Sequence, residues 1–184
     1  MSVAGAKRRR NERAATHARQ QPLGVRLKSA APAWPTALLG GLAWGATMAA
    51  NARFCLWLQG WQTPDRIAAV VLLYAIGGAL AFPVALLAAR FLCEGKSRQA
   101  RYAATFLSFT IATVGVTALL YTLHYWHSYE NEHAEAFSLT WVLQLIFTEL
   151  FALYQFAALG LRLYLPFGFI ALFAASFWFV QRTR

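Results

Sequence analysis

From residue 36 onward the chain is a succession of long apolar stretches separated by short polar ones. Five stretches stand out, at about 36–59, 67–89, 103–124, 138–159 and 164–181. Each holds about 18–24 residues and would span about 27–36 Å as an α-helix, close to the hydrocarbon thickness of a bilayer. Backbone surrounded by lipid must satisfy its own hydrogen bonds, so these stretches are expected to be helices. Short connections make sequential neighbours antiparallel. The pattern predicts an all-α integral membrane protein: a bundle of five transmembrane helices within 34–184, preceded by a polar arm at 1–33. The last stretch is the shortest and starts near Pro166. The alternative is therefore four spans plus a re-entrant C-terminal hairpin over 160–181.

Composition agrees with this class. The chain is 59% apolar and only 13% charged, about half the charged share of a soluble domain. The net charge of +10 comes from 17 Lys and Arg against 7 Asp and Glu, and it is unevenly placed. Lys7, Arg8, Arg9, Arg10, Arg13, Arg19, Arg26 and Lys28 fill an arm with almost no large apolar residues, which cannot build a core. Arg90, Lys96, Arg98 and Arg101 surround the second connection. Basic residues collect on the cytoplasmic side of membrane proteins, so both regions, with Arg162 in the fourth connection, are assigned inside. That puts the N-terminus in the cytoplasm and the acidic 125–137 loop outside. Trp57, Trp61, Trp126, Trp141 and Trp178 would then form an outer aromatic belt. Arg182 and Arg184 break the rule, because five spans would leave them outside.

The Ala50-Asn51-Ala52 triplet resembles a leader-peptidase site, but the apolar run continues past it and the preceding segment is too long for a leader. A retained first helix is expected. Cys55 and Cys93 fall near opposite faces and should not pair, each filling the place of a small buried residue.

Two ionisable residues lie inside spans, Arg53 and Glu149. An intramembrane charge costs about 2.5–3.5 kcal/mol on insertion scales, so these should face protein or water. Thr110, Thr113, Thr117, Tyr121 and His124 fall within about 40° on one face of the third span. Thr140, Gln144, Thr148 and Gln155 form a second stripe on the fourth. The stripes could line a polar path, or supply interhelical hydrogen bonds. Gly41, Gly45 and Ala49 in the first span, and Gly78, Ala81, Ala85 and Ala89 in the second, are small-residue ridges for close helix approach. Pro83 should kink the second span.

Candidate chemistry is sparse. His124, His127 and His133 accompany Glu130, Glu132 and Glu135 in the outer loop, but their spacing matches no strong metal signature, so no metal site is assigned. There is no C-x-x-C, phosphate-binding loop, nucleophile elbow or H-E-x-x-H. Neither Ser108 nor Ser176 has a span histidine to activate it. No cofactor is expected.

These features favour a non-enzymatic accessory subunit, assembly factor or scaffold, partnered by another membrane protein or by its own copy. A small oligomeric transporter using Glu149 and the stripes is the alternative, and a membrane enzyme with a His/Glu outer loop is the third reading. Lys7, Arg8, Arg9, Arg10 and Arg13 are expected to bind anionic headgroups. Nothing beyond charge points to nucleic acid. The expected location is a bacterial inner membrane, with an organellar inner membrane as the alternative.

Overall fold

A computed structural model describes residues 24, 30–128 and 138–182. The arm residues Lys7, Arg8, Arg9, Arg10 and Arg13, the loop residue His133 and Arg184 lie outside the described residues, as do the side chains of 126–128, including Trp126 and His127. All regular structure among the described residues is helical: α1 (Trp34–Leu58), α2 (Pro64–Cys93), α3 (Arg98–Ser128), α4 (Leu139–Gln155) and α5 (Phe167–Arg182).

The ends follow from local chemistry. Proline occupies the first turn of α1 and α2, where a missing N–H costs nothing. Gly60 and Gly95 take positive φ in the turns after α1 and α2, a conformation that side chains with a Cβ disfavour. Ser138 caps α4 by accepting from the Trp141 N–H at 3.1 Å. Three segments are long and apolar enough to cross a membrane: α2, α3 as far as Tyr125, and the continuous helical path Leu139–Tyr164. α1, with 25 residues, is nearly as long but carries glycines, Asn51 and Arg53 within it. α5 has 16 residues, about 24 Å.

α1, α2 and α3 form an up-down-up bundle whose helices meet at backbone distance. A Cβ on Gly45 would lie 2.5 Å from the Ala75 carbonyl, and one on Gly41 would lie 2.8 Å from that of Ala79. Pro83 has no N–H to return to Ala79, its i−4 partner, so that carbonyl is left to face the glycine ridge of α1. On the other side of α2, the position a Gly77 side chain would need is filled by Thr117 of α3. Ala81, Ala85 and Ala89 are fully buried.

The direction of α5 differs from the expected antiparallel return. Descending α3 through Tyr125, Tyr121, Phe106 and Tyr102, the ring and hydrogen-bond partners ascend through Phe151, Gln155, Phe169 and Phe173. α4 and α5 therefore run the same way, both antiparallel to α3, as one broken pass. The connection stays helical, with a π-helical turn at Phe156–Gly160 and a 3-10 turn at Leu161–Tyr164. It then bends at the cis Leu165–Pro166 bond without a loop in which to reverse.

The five helices of the described residues thus run along the bundle in four directions, α4 and α5 sharing one, and residues 160–181 do not fold back on themselves as a hairpin. α5 ends beside Arg98 and Gln99, at the basic end of the bundle. Trp178 thus belongs to that end and not to the expected outer belt. Arg162 is likewise not in an inner connection: it lies in the break, level with the middle of α3.

Candidate functional site

The break in the α4–α5 pass is where the described polar groups converge. A π-turn, a 3-10 turn and a proline leave carbonyls without the usual helical partner, and the bundle supplies donors for them. Tyr74 of α2 donates its hydroxyl to the Gly160 carbonyl at 2.6 Å. Asn51 of α1 donates from Nδ2 to the Leu163 carbonyl. Cys55, one turn above, directs its thiol at the Leu165 carbonyl at 3.1 Å. Tyr164, itself in the break, donates to the Thr113 carbonyl at 3.4 Å, and its ring lies 5.1 Å from that of Tyr74. Trp44 Nε1 donates to Thr113 Oγ1 at 3.0 Å. Asn51, Tyr74, Thr113 and Tyr164 are all buried.

The residues expected to form two facing polar stripes have different fates. Thr110 and Thr117 turn their hydroxyls back to the carbonyls of Phe106 and Thr113 on their own helix. Thr113 receives Trp44. Tyr121 crosses to the other stripe, donating to Gln155 Oε1 at 2.9 Å. His124 and Thr140 are exposed, and Gln144 and Thr148 are half-buried.

The stripes miss one another because α4 is offset. Phe151 is level with Tyr125, so the residues before Thr148 extend past the end of α3, by about 15 Å over ten residues. Among the described residues no continuous path joins the stripes. Arg53 is exposed, Glu149 is half-buried, and the two do not pair. Ala49 is half-buried on the α1 ridge, while Gly78 lies against Met48 and Gly45.

A pocket of about 180 Å³ opens beside the break. Gln59 and Trp61 from the first turn, Val70, Leu73 and Tyr74 from α2, and Tyr121 from α3 line one side. Gln155, Leu159 and Arg162 of the broken pass line the other. The pocket is mainly apolar and carries one cation. Its polar groups can bind and orient a ligand, but they include no nucleophile–base pair.

Ser108 and Ser176 are buried, and Ser176 donates to the Leu172 carbonyl. His124, the histidine with a described side chain, is exposed near the opposite end of α3. Among the described residues no group of three His, Cys, Asp or Glu could hold a metal. Cys55 and Cys93 are both buried free thiols.

Asn51, Tyr74, Cys55 and Arg162 are the site residues that span-by-span reasoning missed. Three of them bind backbone carbonyls, which leave no trace in side-chain patterning. The available signals were an Asn in an apolar run, and two apolar stretches joined by only a few residues. Comparison with protein-family models, with curated proteins and with solved structures found no match to this chain.

Proposed function

We propose that this chain is a multi-pass protein of a bacterial inner membrane that crosses four times, with its basic ends in the cytoplasm. It acts without catalysis, as an accessory subunit, assembly factor or scaffold. The observation that carries this reading is α4. Ala152 is its only buried residue. Leu139, Val142, Leu143, Phe147, Leu150 and Phe151 lie exposed along about half of its circumference.

A half-apolar helix that runs beyond its own bundle is suited to pack against a helix of another membrane protein or of a second copy. The arm residues Arg8, Arg9 and Arg10 would hold the opposite end to anionic headgroups, at about 1 kcal/mol per charge. Purified in mild detergent, the wild type should carry a stoichiometric partner or form a defined oligomer. A variant combining Leu143→Ser, Phe147→Ser and Leu150→Ser should release it while keeping full helicity. A wild type that is a monodisperse monomer with nothing bound overturns the reading.

A small oligomeric transporter is the second reading. One observation favours it: a helical path broken level with the middle of α3, beside a pocket, which resembles the broken helices that form transporter substrate sites. Proteoliposome flux that depends on pH and is lost in Glu149→Gln would support it. Absence of flux in the wild type would remove it.

A further inference from the structure

Arg162 is the one cation lining the pocket, and its guanidinium forms no hydrogen bond or ion pair among the described residues. It leaves the backbone between Leu161 and Leu163, level with the middle of α3, where Tyr164 reaches the Thr113 carbonyl. A guanidinium at such depth, in a chain that spans a membrane, carries a solvation cost that an anion would offset. None of the residues lining the pocket is a carboxylate.

The remaining polar groups are matched to a single anion. The Tyr74 hydroxyl is committed to Gly160 and the Tyr121 hydroxyl to Gln155 Oε1, which leaves the amide nitrogen of Gln155 free to donate. The Gln59 amide lines the same pocket. Arg162, Gln155 and Gln59 all line the pocket and all carry N–H donors, the groups that a phosphate or carboxylate accepts from. Around them the wall is apolar, built by Val70, Leu73 and Leu159. The volume, about 180 Å³, is below the roughly 300–1,000 Å³ of pockets that enclose whole drug-sized ligands. It fits a head and the first part of one chain.

We propose that this pocket binds an anionic amphiphile, its phosphate or carboxylate on Arg162 and its acyl chain along the Leu73 and Leu159 wall. The inference rests on the chain's membrane location but not on the partner role of α4.

The test is native mass spectrometry of the full-length protein in neutral detergent. It is titrated with phosphatidylglycerol, phosphatidylcholine of the same chains, oleate, or inorganic phosphate. The wild type should retain one phosphatidylglycerol or oleate at least tenfold more tightly than phosphatidylcholine, and the tighter of the two names the source. Arg162→Gln should weaken that binding at least tenfold. Arg53→Gln, at an exposed arginine outside the pocket, should leave it unchanged.

Leu159→Trp, which keeps the charge and fills the wall, should weaken binding as well. This gives a second reading if Arg162→Gln loses its helical circular dichroism. Undiminished binding in either folded variant overturns the proposal. So does phosphatidylcholine retained as tightly as the anionic probes, or inorganic phosphate bound as tightly as either.

Discussion

The two halves of the molecule solve helix association in opposite ways. In α1 to α3 the contact is backbone on backbone. Gly41, Gly45, Gly77 and Gly78 remove side chains from the interface, and a carbonyl or a neighbouring side chain fills each place. In the α4–α5 pass the contact is made by large rings, with Phe106 against Phe169 and Phe173, and Phe54 against Phe167. Its backbone is held by donors reaching across from Asn51, Cys55 and Tyr74. Between helices in lipid apolar burial would add little, leaving close packing and hydrogen bonding to hold them together. A regular helix has most of its carbonyls occupied and relies chiefly on close packing, supplemented by side-chain bonds such as Trp44 to Thr113. A broken helix exposes carbonyls and can be fixed by single side chains.

That contrast predicts different failures. The largest effect should come from Gly45→Leu, where the added side chain has the Ala75 carbonyl in its way. A loss of about 3 kcal/mol is expected, at the upper end for overpacking, read as a lower thermal midpoint in detergent. An unchanged midpoint would mean that α1 and α2 are not in backbone contact.

Asn51→Leu should cost less, about 1–2 kcal/mol, because it removes one buried hydrogen bond and leaves the Leu163 carbonyl only the weaker Cys55 thiol. Its distinguishing mark is local. Amide exchange should rise in 163–170 while the α1–α2 interface keeps its protection. Tyr74→Phe should follow the same pattern at about 1 kcal/mol, with the increase centred on Gly160.

The smallest effect has the opposite sign. Gly115 of α3 is exposed, and a Cβ added there would meet nothing within 4 Å. Gly115→Ala should therefore stabilise by up to about 1 kcal/mol through helix propensity. Destabilisation there would show that some other element packs on that face.

The sequence made some of this legible and hid the rest for physical reasons. Hydropathy placed 67–89 and 103–124 inside α2 and α3, because those spans are continuous and uniformly apolar. The direction of α5 was hidden. Hydropathy marks where a segment is apolar but not which way a proline-jointed helix proceeds. Arg182 and Arg184 carried the hint, since a return span would have put them on the wrong side. Register was hidden too: the Thr140 to Gln155 stripe has sound helical spacing, yet Thr140 and Gln144 lie beyond the end of α3. Asn51 and Tyr74 were hard to find because their partners are main-chain carbonyls 112 and 86 residues away.

The central claim is that α4 and α5 together make one broken pass, which brings the C-terminal end back to the basic side. Site-directed labelling in sealed, oriented membrane vesicles tests it directly. Single cysteines are introduced as Lys96→Cys, Gln62→Cys and Gln181→Cys on a background of Cys55→Ala and Cys93→Ala, and probed with a membrane-impermeant maleimide. One broken pass requires positions 96 and 181 to react from the same side and position 62 from the other. Reaction of position 181 from the side of position 62 would contradict it.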